Sequence, residues 1–354
     1  MSSPLVSVVV PTFNRAHVLP RAVASALAQT HQNVQVVIAD DGSSDGTCEL
    51  VARLWANEPR VEYYYQENNG VSAARNLGFA HSRGEFVALL DSDDEWMPWK
   101  LELQLAALRA YPEAGMIWTD MRAIGIDGHE VTPRYLRTMY SAWDQAKAET
   151  LFTSSMKVAD LAPAELRDVV GDTRLYSGDI YSQMVLGNLV HTSTVLIRRE
   201  RLTAVGTFDE ALYPAGEDYD FHLRTCSFGP VAFMDLSTIN YEIGGADALS
   251  RQSEVLAINF LKVVKRTLKR DRARINLSNS QIHWVLADAE GWVGGAMLEN
   301  RHRGARRHLL MSLRHRPVQP RVARQLAKSM VPAGVRDQVR KAYLAVFAAL
   351  GLAL

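Results

Sequence analysis

The sequence predicts an α/β fold with a mostly parallel sheet, helices on both faces and a helical region at the C-terminal end. Three observations predict it. Short apolar runs alternate with segments of helical period over residues 5–119, the β-α-β-α order that builds a parallel sheet. Acidic turns follow the apolar runs, where ligands of open parallel sheets bind. From Ser253 onward the pattern is helical and rich in arginine.

Each element has its own signal. Leu5–Val10 is a continuous apolar run, as a strand buried on both faces requires. Val18, Leu19, Ala22, Val23, Ala26 and Leu27 recur at helical spacing, with Pro20 tolerable only in the first turn. Val34–Ala39 is the second strand, and Asp45 suits the N-cap of a helix to about Trp55. Val61–Tyr65 is the third strand. A helix over Val71–Ser82 is followed by Gly84, and Phe86–Leu90 is the fourth strand. Pro98 opens a helix to about Ala110, and Met116–Thr119 is another strand. Regular period is lost over residues 121–185, an expected insertion whose middle, Met139–Asp168, has the pattern of an amphipathic helix. Val190–Arg198 is strand-like, residues 208–229 carry a charged cluster and a helix, and Val231–Asp235 is a late strand.

Composition narrows the class. A chain of 354 residues, 47% apolar and 22% charged, has the composition of an ordinary soluble globular protein. Cys48 and Cys226 lie far apart, which excludes a disulfide framework and fits a reducing cytosol. Neither a signal peptide nor a membrane-spanning run is expected. The net charge of zero hides an asymmetry. Residues 1–261 carry 20 Lys and Arg against 34 Asp and Glu, whereas residues 262–354 carry 19 against 5. The acidic part attracts cations, and the basic part attracts phosphates.

The strand ends carry the chemistry. Pro11-Thr12-Phe13-Asn14 follows the first strand, Asp40-Asp41-Gly42-Ser43 the second and Asp91-Ser92-Asp93-Asp94 the fourth. Crowded carboxylates repel one another unless a cation or donor compensates, and a hard divalent cation holding phosphates is the economical compensation. A single aspartate at a strand end also serves as a turn or cap residue; two acidic clusters at one edge ask for more. The first loop lacks both G-x-G-x-x-G and G-x-x-x-x-G-K-S, so neither a Rossmann dinucleotide site nor a P-loop is supported, and a nucleotide bound here would have its charge carried by metal and side chains.

Five segments in order resemble the family-2 glycosyltransferases, which have the GT-A fold. They are Val8–Arg15, Ala39–Thr47, Asn69–Gly78, Leu90–Trp96 and Gly216–Phe221, within a resemblance covering roughly residues 5–250. The resemblance implies a GT-A catalytic domain over 1–250, with the insertion at about 121–185 on the acceptor side; the basic helical region over 251–354 lies outside the resemblance. It implies that Pro11, Thr12 and Phe13 lie against the nucleoside and that Asp41 hydrogen-bonds the nucleobase. Arg75 is then a wall near base and diphosphate. Asp91 serves the ribose or a metal-bound water, Asp93 ligates Mn²⁺ or Mg²⁺, and Asp94 stands behind them. Asp218 matches the catalytic base, with Glu217 beside it. Without the resemblance, Glu217, Asp218 and Asp220 also suit an ordinary helix N-terminus. His191 touches acceptor or diphosphate, or is a hydrogen-bonded structural histidine. Arg251, in Leu249-Ser250-Arg251, neutralises phosphate or is a surface arginine. Trp96 and Trp118 are expected to pack. Tyr135, Tyr140, Trp143, Asp144, Tyr176, Asp179 and Tyr181 either stack on a sugar or fill a satellite core.

The implied activity is metal-dependent, inverting transfer of a sugar from a nucleotide-diphosphate donor to a glycan or lipid-linked acceptor, in the cytoplasm and in cell-surface polysaccharide synthesis. A nucleotidyltransferase is disfavoured because Pro11–Arg15 has no glycine-rich, lysine-bearing loop. A catalytically silent binding module is disfavoured because Asp41, Asp93 and Asp218 are all present. The basic stretches Lys262–Arg270 and Arg301–His308, with the apolar end Ala342–Leu354, suit either peripheral contact with an anionic membrane at its inner face or packing on protein. Nucleic acid is not an expected partner, since no recognition module is present.

Overall fold

A computed structural model of the chain describes residues 3–125, 127–144, 146–244 and 253–331. It divides into two units, residues 1–251 and 252–354.

In the first unit four strands pair in parallel: β1 (Val6–Thr12), β2 (Val34–Asp40), β3 (Val61–Tyr65) and β4 (Phe86–Leu89). Every residue of β1, β2 and β4 is buried, which explains their near-continuous apolar sequences. The connecting helices are α1 (Leu19–Leu27), α2 (Thr47–Trp55) and α3 (Val71–His81). Pro20 sits in the first turn of α1 as expected. Gly78 lets α3 lie directly on β1, because a Cβ there would overlap the Val9 side chain.

Further along come β5 (Glu95–Trp96), α4 (Lys100–Ala110), β6 (Met116–Gly125) and β7 (Glu130–Thr132). The remaining strands are β8 (Ser154–Lys157), β9 (Arg174–Gly178), β10 (Leu196–Arg198) and β11 (Val231–Ile243). The sheet runs β3-β2-β1-β4-β10-β6-β11-β9-β8, with β5 on β11 and β7 on β6. β10 lies antiparallel between β4 and β6, and β11 is parallel to β6. Leu196 faces Ala88 and Arg198 faces Phe86. The chain entering β10 therefore lies beside the carboxyl end of β4, and this register sets up the site.

Several local expectations are corrected. Met139–Asp168 is not one amphipathic helix. The region holds single helical turns α5 (Leu136–Met139), α6 (Ala148–Leu151), α7 (Arg167–Val170) and α8 (Tyr181–Met184), and β8 pairs antiparallel with β9 to extend the sheet. Its apolar residues serve an aromatic cluster instead: Trp143 and Trp118 lie 5.0 and 5.3 Å from Phe233, and Phe152 lies 5.8 Å from Tyr176. Trp143 and Tyr176 thus fill core. Residues Thr192–Thr194 form a 3₁₀ turn, so the strand expected over Val190–Arg198 shrinks to its last residues. The late strand is longer than expected because β11 continues past Asp235 to pair with β5 and β6. The N-cap position of α2 is Gly46 at φ 85°, not Asp45. The Asp45 carboxylate still acts on that turn, accepting from Thr47 N–H at 3.2 Å and from Ala16 N–H at 2.9 Å.

α9 (Arg199–Val205) and α10 (Glu217–Cys226) complete the described helices of this unit. The second unit contains α11 (Ser253–Asp271), α12 (Asn279–Glu299), α13 (Ala305–His315) and α14 (Pro320–Met330). Ala257 and Leu261 of α11 pack on Ala289 and Val293 of α12. Buried Glu290 is compensated from two sides, by Lys265 Nζ and by His308 Nδ1, each at 2.6 Å. No helix among the described residues is long and apolar enough to cross a membrane. Arg251 and the apolar end Ala342–Leu354 lie outside the described residues.

Candidate active site

The first two strand-end loops are stitched together. Asn14 takes φ 52° at the turn after β1, a left-handed conformation that asparagine tolerates. Its side-chain oxygen accepts from Ser44 N–H at 2.8 Å, and its own N–H donates to Ser43 Oγ at 2.8 Å. Asp40 accepts from Ser43 N–H at 2.8 Å and from the Tyr63 hydroxyl at 2.6 Å. Asp41 faces the other way. Its carboxylate accepts from Gln66 Nε2 at 2.7 Å, Asn69 N–H at 3.0 Å and Gly70 N–H at 2.8 Å. Three of a carboxylate's roughly four lone-pair sites are thus filled, leaving one for an incoming donor. Gly70, at φ 91°, lies under the Tyr213 ring, and a Cβ there would overlap that ring. Pro11 and Thr12 end β1 beside Ala39 and Asp40, and the ring of Phe13 is exposed just beyond.

Arg75 of α3 lies at the centre. Its side chain is 5% exposed, donating from Nη1 to Glu217 Oε1 at 2.7 Å and from Nη2 to Asp91 Oδ1 at 2.9 Å. Its guanidinium also stands 5.1 Å from the centre of the Phe208 ring. Glu217 is therefore turned inward and held by Arg75, not open at the surface. Asp91 is pushed up by burial, but Arg75 and His191 outweigh that and hold it below the ordinary aspartate value.

The neighbouring acids behave differently. The exposed Asp93 is raised by the protein crowding around it and by the charge of Asp91. Asp94 is 2% exposed and raised well above the ordinary value by burial and by Asp93 and Asp91. The backbone carbonyl of Asp93 accepts from Arg21 Nη2 at 3.0 Å. Asp218 stands in the first turn of α10 beside Glu217. Burial, then the charge of Glu217, pushes it up to about 7, although Arg75 pulls the other way. Asn188 Nδ2 lies 3.4 Å from Asp218 Oδ2.

The turn before β10 closes this group. Ser193 Oγ accepts from Asp91 N–H at 3.0 Å, and Trp96 Nε1 donates to the Ser193 carbonyl at 2.9 Å. Trp96 thus packs, under the buried Lys100, whose Nζ is 4.0 Å from its ring. His191 is buried, 5.2 Å edge-on from Tyr241, which stacks on Tyr135 at 5.7 Å. Tyr140, half-buried, is raised well above the ordinary tyrosine value by its surroundings and by the nearby charges of Asp218, Asp91 and Asp94. One ligand atom each of Asp91, Asp94 and His191 lies within 4.8 Å of the others. Asp93 is not in that convergent group, and its residue is exposed. Ser193, Tyr241, Asn188 and Arg21 carried no signal in the sequence, since only tertiary packing brings them to the site.

The arrangement fits a divalent cation and a polyanion at one sheet edge. Buried Arg75 is bonded to Asp91 and Glu217, while Asp93, Asp94 and Asp218 are raised by burial and by the carboxylates beside them. Buried polar atoms without a partner among the described residues gather here too: Thr12 Oγ1, Arg75 Nε, Asp94 Oδ2 and His191 Nδ1. Such atoms in a folded protein call for a ligand or water.

Residues 7–181 match the family described as Glycosyl transferase family 2. The chain is 27% identical to a chondroitin synthase of Escherichia coli over 267 residues, 75% of this chain and 33% of that one. It spans about a third of the length of this and comparable curated relatives. Among solved structures, a mannosyltransferase from Pyrobaculum calidifontis in complex with GDP-Man and Mn²⁺ superposes with TM-score 0.51 at 16% identity, covering 93% of this chain and 88% of that one. S. aureus TarS 1–349 in complex with UDP-GlcNAc gives TM-score 0.51 at 15% identity, covering 91% and 89%. The shared fold is GT-A.

Proposed function

We propose that this chain, whose residues 7–181 belong to glycosyl transferase family 2, moves a sugar from a nucleotide-diphosphate donor to a hydroxyl of a glycan or lipid-linked acceptor, with inversion and with a divalent cation. The observation that carries the proposal is the group of carboxylates around Arg75 at the carboxyl edge of β1, β2 and β4. Relatives of the same fold that bind UDP-GlcNAc, or GDP-Man with Mn²⁺, support this reading.

In this reading Pro11, Thr12 and Phe13 lie against the nucleoside. Asp41 offers its remaining lone pair to the base. Asp93, at the open mouth of the Asp91–Asp94 turn, meets the cation. A bound cation supplies charge neutralisation for the departing diphosphate. Asp218 takes the proton of the attacking hydroxyl, and a value near 7 suits a base that must be free at neutral pH yet basic enough to act. Arg75 fixes the spacing between the donor side and the base side by bridging Asp91 and Glu217. One base and attack from the face opposite the diphosphate give inversion. Tyr140, Tyr135 and Tyr241 line the acceptor side. Residues 1–250 form the catalytic domain, Arg251 neutralises donor phosphate, and the basic helical region 251–354 makes peripheral contact with anionic lipid during cell-surface polysaccharide synthesis in the cytoplasm.

The test is product analysis on UDP-, GDP- and dTDP-sugars with simple glycan acceptors, in Mn²⁺ and in EDTA. The expected products are nucleoside diphosphate and a transferred sugar of inverted anomeric configuration, with EDTA abolishing both. Release of nucleoside monophosphate would instead mean phosphorus-centred chemistry and would overturn the reading.

A further inference from the structure

We infer that the outward faces of α13 and α14 form a docking surface for a bilayer bearing anionic phospholipid headgroups. The inference rests on the lipid contact proposed above for the helical region, and it gives that contact a surface and a headgroup chemistry.

Charge supplies the first support. Residues 300–331 hold nine Lys and Arg and no Asp or Glu. Eight of the nine are arginine, whose planar fork pairs with phosphate oxygens through two hydrogen bonds. Position supplies the second. Ala305, Leu309 and Ser312 are the buried side of α13, so the helical period turns Arg307, Leu310 and Arg314 to the opposite side, where all three are exposed. On α14 the buried residues are Val322 and Ser329, while Arg321, Arg324 and Lys328 are exposed. The side chains of Arg307, Arg314 and Lys328 make no hydrogen bond or ion pair among the described residues.

The inner faces are already occupied. Gly294 of α12 admits Leu309, since a Cβ there would overlap it, and the Ser312 hydroxyl donates to the Ala287 carbonyl at 2.6 Å. Arg306 is spent inside the unit as well: its Nε and Nη2 donate to the Ser329 carbonyl at 3.0 and 2.6 Å and tie the end of α14 to α13. Arg307 and Arg314 have no such task. Apolar side chains decide between a bilayer and a soluble polyanion. Leu310, 54% exposed, lies between Arg307 and Arg314, and Val318, 78% exposed, stands in the turn joining α13 to α14. A soluble chain of phosphates gains nothing from them. A bilayer interface takes the apolar side chains while its headgroups take the arginines.

Co-sedimentation of the full chain with vesicles tests the assignment without any assay of turnover. The vesicles are neutral phosphatidylcholine, or phosphatidylcholine mixed with phosphatidylglycerol. The chain is expected to bind the mixed vesicles and not the neutral ones, with binding that weakens as salt is raised. Arg307→Glu combined with Arg314→Glu lowers partition to the mixed vesicles at least about tenfold. Leu310→Ser lowers it by a smaller factor, and both variants keep the circular dichroism of the unmodified chain. Mixed-vesicle binding that survives the double charge reversal overturns the inference and leaves the lipid contact standing on another surface. Equal binding to both kinds of vesicle overturns it too, since headgroup charge then plays no part. Capture by soluble polyphosphate with no vesicle binding overturns both the inference and the lipid contact, and leaves sugar transfer untouched.

Discussion

Asp218→Asn lowers turnover by about 10²–10⁴-fold while leaving donor binding close to unchanged. The amide keeps the size of the carboxylate and its place in the first turn of α10, but it cannot accept the proton of the acceptor hydroxyl. A structural role predicts the opposite pattern, with loss of fold and little specific loss of rate. The pH profile gives a second readout. Asp218 is pushed up to about 7 by burial and by Glu217. Below that value it is protonated and cannot act as a base, so kcat/KM rises with pH through about 7 and then levels. Glu217→Gln removes the neighbouring charge and moves the rise to lower pH.

The same shift has a consequence for stability. A carboxyl whose folded value exceeds its unfolded value binds more protons in the folded state. Its contribution is fully present below about 4 and is lost as pH rises to about 7. Raised values at Asp93 and Asp94 act in the same direction. Chelator-treated protein therefore loses stability from these groups as pH rises, and added Mn²⁺ reduces the loss.

Arg75→Met destabilises the first unit by about 3–5 kcal/mol, read as a shift of the chemical denaturation midpoint. The guanidinium is buried between Asp91 and Glu217, and methionine leaves both carboxylates without their cation. The Phe208 contact is partly kept by the methionine chain, so the loss reports the charges more than the packing. Arg75→Lys does not restore the protein, since one ammonium cannot reproduce two separate guanidinium arms. Adding Asp91→Asn and Glu217→Gln to Arg75→Met recovers much of the stability. If Arg75→Met alone costs no more than an exposed arginine would, the bridge is not part of the site's frame.

Strands β1, β2 and β4 were legible because each is buried along its length and reads as a near-continuous apolar run. Their acidic ends were legible because carboxylates rarely crowd without cause. The β8–β9 hairpin was not, since its short, mixed segments carry neither a clear period of two nor a helical one, and their aromatic residues answer to Trp118 and Phe233 far away in sequence. Asn14, Ser43 and Asp45 belong to segments that resemble the family, yet here their side chains tie loops together. The inward turn of Glu217 depends on α3 meeting α10 through Arg75, a tertiary fact that no local pattern encodes. His191 joins Asp91 and Asp94 only because β10 runs antiparallel to β4.

Calorimetric titration of the full chain with UDP-, GDP- and dTDP-sugars, with and without Mn²⁺, tests the central claim most directly. The account predicts that one of these donors binds, that Mn²⁺ strengthens its binding at least about tenfold, and that Asp93→Asn removes the gain. Absence of binding to every donor in the presence of Mn²⁺ would contradict it, and the acidic edge would then hold something other than a nucleotide sugar.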